Sequence, residues 1–257
     1  MSHFNKIKCE HLHDEQILSL TLNAPKSNVL DAEMMTELMQ AVRENGQKPF
    51  VKALVFQGEG GHFSFGASVP EHRKEFVAEM LANFHRLFRV LIESGKPMFA
   101  LVRGQCLGGG LELAAFCHWI FASTDAMFGQ PEIKLALFPP VASLILPHRV
   151  GQTAADDLVL SGRSISALEA KEIGLAHSVS DDPGKKLTAY LCEHILPKSA
   201  AALQFSVKSS RFEMHRAFLE NIDAVEKMYI QDLMNTEDAN EGILAFLEKR
   251  KAVWENQ

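Results

Sequence analysis

The sequence predicts an α/β core followed by a helical C-terminal region, and three observations carry that prediction. Short β-branched and apolar runs alternate with amphipathic helical patterns through the first half of the chain. Two of those runs, Ala53-Leu54-Val55 and Ala100-Leu101-Val102, lead within a few residues into a glycine-rich turn and then a helix. They suggest a repeated strand-turn-helix unit. After Ser164 the periodicity becomes mainly helical.

Taken in order, residues 17–23 read as a strand and 31–44 as a helix with Asp31 at its N-cap. Residues 52–57 form a second strand. A long helical pattern over 70–93 opens with Pro70, a residue suited to a first turn. Residues 97–102 give a third strand, then a glycine loop and a helix over about 110–117, then a fourth strand over 118–122. Further helices are expected over 166–173, 185–196, 199–221 and 237–255.

Composition narrows the function classes. The 257 residues are 47% hydrophobic and 23% charged, an ordinary soluble balance large enough to bury a sizeable core. A formal net charge of −6 gives no support to nucleic-acid binding. No apolar run has membrane-spanning length and the N-terminal segment has no signal-peptide core, so a cytoplasmic protein is expected. Cys9, Cys106, Cys117 and Cys192 lack paired spacing and read as reduced thiols.

The chemistry concentrates around Gly104–Ala114, where three glycines run into an apolar helical segment carrying Glu112. A strand that ends in such a turn presents free N–H groups at a helix N-terminus, able to hold an oxyanion. The turn containing Gly66, Ala67 and Ser68 can supply a second N–H from Ala67. Glu132 lies in a loop after the next strand. If the chain returns it beside Glu112, burial and mutual repulsion push the two pKa values apart and divide acid from base work. Spacing alone favours the plainer reading, in which Glu112 pairs with an arginine or lies on a solvated face; the glycine turns shift that balance, with tight turns or close packing as their competing role. Phosphate-loop and dinucleotide glycine patterns are absent. Ser68 lacks the setting of a nucleophile elbow. Cys9, His11 and His13 would share a strand face, but no fourth metal ligand accompanies them. His118 reads as a packed histidine. The basic run Lys249-Arg250-Lys251 is expected on a helix opposite Ile243, Phe246, Leu247 and Val253.

Six stretches in order make the chain resemble the crotonase (enoyl-CoA hydratase/isomerase) family. They are LTLNAPKSNVLD, GHFSFGAS, KPMFALVRGQCLGGGLELAAFC, FGQPEIKLALFPP, LSGRSISALEAKEIGLAHSV and TEDANEGILAFLEKRKAVW. The resemblance implies a spiral of ββα repeats over residues 1–195. A helical region over 196–257 would serve trimerisation and cover the active site. It implies acyl-CoA substrates, homotrimers that often pair into hexamers, and no metal or redox cofactor, coenzyme A being part of the substrate thioester. Ala67 and Gly109 match the oxyanion positions, and Glu112 and Glu132 match the two acids of the hydratases. Family isomerases and hydrolases commonly lack one of those acids, so hydration is the leading expectation. A linear enoyl-CoA hydratase, an isomerase or a non-catalytic acyl-CoA-binding relative stand as alternatives.

Two departures from the family pattern matter. Ser68 stands where an aspartate is common. Pro139-Pro140 replaces a proline-glycine, and Pro140 has no N–H to donate. The change predicts a reshaped acyl pocket closed by Pro140, Ala142 and Leu144. These features resemble a subgroup acting on alicyclic dienoyl-CoA thioesters. Lys26, Phe246 and Lys249 are the expected further contacts to the substrate.

Overall fold

The computed structural model describes residues 4–24 and 26–256; residues 1–3 and 257, the outer ends of the two expected regions, lie outside that range. Strand β1 (Ile7–Leu12) pairs antiparallel with β2 (Ile17–Leu22), which is buried along its whole length. Helix α1 (Ala32–Ala41) follows, capped as expected by Asp31, whose carboxylate accepts the Met34 N–H at 2.9 Å. Strand β3 (Ala53–Gly58) then lies parallel to β2, and α2 (Val77–Ser94) packs against α1.

Strand β4 (Met98–Val102) joins β3 in parallel, followed by the short β5 (Gln105–Leu107) and α3 (Gly109–Phe116). Strand β6 (Trp119–Ala122) extends the main sheet. Strand β7 (Met127–Gly129) instead pairs in parallel with β5. Helices α4 (Pro140–Val150) and α5 (Gln152–Ser161) lead to β8 (Ser164–Ser166), which completes the small second sheet. After α6 (Ala167–Glu172), β9 (Ser178–Val179) closes the main sheet, whose order is β1-β2-β3-β4-β6-β9. Helices α7 (Pro183–Tyr190), α8 (Ala200–Ser210), α9 (Phe212–Lys227) and α10 (Glu237–Leu247) complete the chain.

Alternation along the parallel strands explains why the main sheet is covered on both faces. Met98, Ala100 and Val102 enter the larger core with α1, α2 and α3. Phe99 and Leu101 turn to a smaller cluster with Phe121, Leu187 and Leu191. The Phe99 and Trp119 rings stack there with centroids 4.8 Å apart.

Three expected helices need correction, and a fourth helix was not expected. The pattern over 70–93 is broken. Pro70 does open a turn, Val69–His72, but the His72 ring bonds back to the Ser68 carbonyl at 2.8 Å and Arg73 turns extended (ψ 148°). Helix α2 therefore begins only at Val77. The helix expected over 199–221 is two helices meeting at Arg211. The last helix stops at Leu247, because Lys249 adopts a left-handed backbone (φ 55°) and Arg250 turns back to Glu241 at 2.6 Å. The basic run is thus a turn leading into the tail and not a helix face. Finally, α4 was not legible in a stretch containing Pro139, Pro140 and Pro147, although a proline at the first helical position is a start signal.

Candidate active site

The strand-turn-helix unit occurs twice, as the sequence suggested, and each copy delivers one oxyanion candidate. The loop after β3 carries Ala67, and the loop after β4 carries Gly109. The loops are joined by a Ser64–Cys106 bridge, and the Leu107 N–H donates to the Ser64 carbonyl at 3.0 Å. Gly66 (φ 107°) and Gly108 (φ 50°) both occupy backbone regions that favour glycine. Their turns bring the Ala67 and Gly109 amides together: a Cβ built on Gly109 would lie 3.1 Å from the Ala67 nitrogen. Gly109 is the first residue of α3, so its N–H has no partner within the helix.

The pairing of β5 with β7 then places the acids. Leu107 is in register with Gly129, and the Gly108 N–H donates to the Gly129 carbonyl at 2.9 Å. Pro131–Leu135 forms a short turn immediately after β7, so Glu132 lies back over the glycine loop. A Cβ on Gly108 would come within 2.7 Å of Glu132 Oε1. The buried Gln130 amide, with its nitrogen toward Glu132, donates to Oε2 at 3.0 Å and Oε1 at 3.2 Å. Glu112, in the first turn of α3, is 3% exposed, and the Ala142 N–H donates to its Oε1 at 2.8 Å.

That last bond answers the difficulty raised by Pro140. Pro140 is the first residue of α4, where a missing N–H costs nothing, and the amides behind it face Glu112. Burial raises the Glu112 pKa to about 7, and the N–H groups of Ala142 and Val141 restrain the rise. Glu132 is pushed well above the usual carboxylate range by burial and then by the Glu112 charge. One acid is therefore held protonated, while its neighbour titrates near neutrality.

Both carboxyls line a cavity of about 510 Å³ whose other walls include Met80, Leu81, Phe84, Leu137 and Phe138. Ala67, Gly109, Ser68, Pro140 and Phe246 line it too. Ala142 and Leu144 do not. Ala142 contributes its N–H behind Glu112, and Leu144 packs against the core on another side of α4. Lys26 and Lys249 are exposed outside the cavity. The strand-face group is also dispersed: His13 lies in the turn after β1 (φ 52°), while the Asn45 side chain contacts Cys9 and His11. No metal-holding cluster of His, Cys, Asp or Glu occurs among the described residues.

Sequence reasoning missed two participants. Gln130 has no motif beyond preceding Pro131. Tyr229 comes from a π-helical turn, Met228–Asp232, at the end of α9, and its ring meets Phe138 with centroids 5.1 Å apart. Its hydroxyl is buried in the cavity wall without a hydrogen-bond partner. A tyrosine in an otherwise amphipathic helix carries no sequence signal of that placement.

The family model described as enoyl-CoA hydratase/isomerase matches residues 13–257. The chain belongs to that family and is an enzyme of its hydratase, or hydro-lyase, class. Among curated relatives, the cyclohexa-1,5-dienecarbonyl-CoA hydratase of Thauera aromatica is 46% identical over 244 residues, covering 95% of each chain. A probable enoyl-CoA hydratase of Rhizobium meliloti (strain 1021) is 36% identical, covering 93% of this chain and 94% of its own. Among solved structures, an enoyl-CoA hydratase from Mycobacterium avium subsp. paratuberculosis K-10 superposes with a TM-score of 0.83 at 25% identity. It covers 99% of this chain and 100% of its own. An enoyl-CoA hydratase/isomerase from Xanthobacter autotrophicus Py2 gives 0.85 at 26% identity over 96% and 94%. The crotonase-like fold with its helical C-terminal region is the one expected from sequence.

Proposed function

We propose that the protein adds water to cyclohexa-1,5-diene-1-carbonyl-CoA, giving 6-hydroxycyclohex-1-ene-1-carbonyl-CoA, within anaerobic aromatic (benzoyl-CoA) degradation. The observation that carries the hydratase chemistry is the pair Glu112 and Glu132, buried together beside two converging backbone amides. The T. aromatica relative supports the choice of ring substrate.

In this reading Glu112, oriented by the Ala142 amide, takes a proton from water as the oxygen bonds to the ring carbon conjugated with the thioester. The electron pair moves onto the thioester oxygen, which the Ala67 and Gly109 N–H groups hold. A single such donor contributes about 3 kcal/mol to acyl-transfer transition states. The second ring double bond carries that charge to the carbon opposite the new hydroxyl, and Glu132 supplies the proton there. Protons balance, since one leaves water and one reaches carbon. Pro140, Ser68 and Phe246 bound the acyl group, and Lys26 and Lys249 meet the anionic part of coenzyme A. No further cofactor enters, and the enzyme works in the cytoplasm as a homotrimer or homohexamer.

The test is a turnover comparison of the cyclic dienoyl-CoA with crotonyl-CoA, read by loss of conjugated absorbance and by product mass. A kcat/KM at least about tenfold higher for the ring is expected, since a reshaped apolar pocket discriminates by about 1–3 kcal/mol. Faster hydration of crotonyl-CoA sinks the substrate choice. Tight binding without turnover of either thioester sinks the hydratase reading itself. Glu132→Gln should lower kcat by about 10²–10⁴.

A further inference from the structure

A second cleft, of about 710 Å³, opens at the opposite end of the parallel strands from the carboxylates. His118 and His177 line it immediately before β6 and β9, Arg149 enters from the end of α4, Lys171 from α6, and Arg211 from the junction of α8 and α9. Its one carboxylate, Glu213, is bonded to Arg216 at 2.6 Å. Among the described residues no carboxylate lies within ion-pair distance of Arg149, Lys171 or Arg211. A cleft with three uncompensated cations is anomalous in a chain whose net charge is −6.

The arginines are fixed but not neutralised. Arg149 donates to the carbonyls of Cys117 at 2.5 Å, His118 at 3.1 Å and Leu175 at 3.1 Å, and Arg211 donates to the Cys117 carbonyl at 3.3 Å. Burial and then the Arg211 charge press the Arg149 guanidinium down to about 10. Two donors are left over. Arg149 Nε and His118 Nε2 are buried without a partner among the described residues. The Met98 N–H occupies His118 Nδ1 at 3.0 Å, so the neutral ring carries its proton on Nε2. Burial and the neighbouring guanidiniums keep that ring neutral, and burial also lowers the His177 pKa. The unpartnered buried polar atoms of the walls among the described residues, Arg149 Nε and His118 Nε2, are thus both donors, beside three cations. A buried unpaired charge is costly until an anion meets it, and guanidinium–oxyanion bonds are the strong kind.

We propose that this cleft binds a small doubly charged oxyanion, of the phosphate or dicarboxylate class, between Arg149, Lys171 and Arg211. The hydratase reading does not enter the argument, and the site shares no residue with the cavity of Glu112 and Glu132.

The experiment is thermal unfolding of the full chain in inorganic phosphate, with chloride replaced at constant ionic strength. Tm should rise with the logarithm of phosphate above its Kd, reaching about 2–4 °C once phosphate exceeds Kd severalfold. Succinate in a parallel series separates the dicarboxylate from the phosphate source: the larger rise names the class. Lys171→Gln, at an exposed position, should weaken the phosphate effect about tenfold in midpoint, and Lys171→Gln with Arg211→Gln should abolish it. Acyl-CoA turnover should be unchanged in Lys171→Gln. Ring ¹⁵N signals of His118 and His177 should move with phosphate in the unmodified protein, a readout that needs no variant. Equal Tm in both anion series and chloride overturns the proposal, as does an undiminished phosphate effect in Lys171→Gln. A fall in sedimenting mass with added phosphate would mean that an acidic side chain of a second copy fills the cleft, and overturns it equally.

Discussion

The two glutamates differ because of what surrounds each one. Glu112 faces the first amides of α4 and titrates near neutrality, while Glu132 is held protonated by burial and by the Glu112 charge. The difference has a stability consequence with a definite sign. The folded pKa of Glu112 lies above its ordinary value, so the folded state binds the extra proton between pH 4.5 and about 7. Stability is therefore fullest below that window and is lost as pH rises through it, by an amount on the order of 3 kcal/mol. Glu132 acts in the same direction. Urea unfolding at pH 5 and pH 7.5 should show a larger loss for the unmodified protein than for Glu112→Gln, by about 2–3 kcal/mol. Equal losses would mean that Glu112 ionises normally. Tyr229 offers a second residue-level contrast. Its hydroxyl lines the cavity and has no partner among the described residues, so Tyr229→Phe should leave Tm unchanged or raise it by about 2–4 °C. A lower Tm in calorimetry would show that the hydroxyl is satisfied in solution.

At the scale of elements, the site depends on a few close approaches between short pieces of backbone. Strands β5 and β7 pair over three residues each, and that pairing helps lay the Glu132 turn over Gly108. Helix α10 then seals the turn from outside. A Cβ built on Gly242 would fall 2.1 Å from the Leu135 carbonyl oxygen, so helix and turn touch backbone to backbone. Gly242→Ala should therefore push α10 away. We expect a loss of at least about 2 kcal/mol in urea unfolding, as for overpacked cores, together with a fall in kcat as Glu132 shifts. Unchanged kcat at reduced stability would separate α10 from the chemistry. Elements of this kind also mark the limit of sequence reading. The β3 and β4 units, Asp31 and the glycine loop were legible because periodicity and turn chemistry are local. Helix α4 was not, since prolines at 139, 140 and 147 obscure its periodicity, and Pro140 looked like a lost donor when it begins a helix. The break at Arg73 and the early end at Leu247 accompany side-chain bonds from His72 to Ser68 and from Arg250 to Glu241, which hydrophobic periodicity does not encode.

At the scale of the whole molecule, the distribution of apolar surface argues for assembly. Phe205 is 68% exposed on α8, Phe212 61% on α9 and Leu168 64% on α6. Side chains of that size are costly to leave in water, at about 25 cal/mol for each Å² of apolar surface. Isolated cases are ordinary, but Phe205 and Phe212 on the contacting helices α8 and α9 are what a covered face would supply. C-terminal helices also seal the site: α10 lies on the Glu132 turn and supplies Phe246, and the end of α9 supplies Tyr229. An assembly that immobilises α8 and α9 would thereby steady the cavity wall. Sedimentation equilibrium should give three or six times the chain mass of 28.6 kDa. Replacing both Phe205 and Phe212 with aspartate should reduce that mass to the single chain and lower kcat with it, because the π-helical turn bearing Tyr229 would lose its support. A protein that sediments as one chain before any substitution would refute the covered face, and one that loses mass but keeps kcat would refute the link between assembly and site.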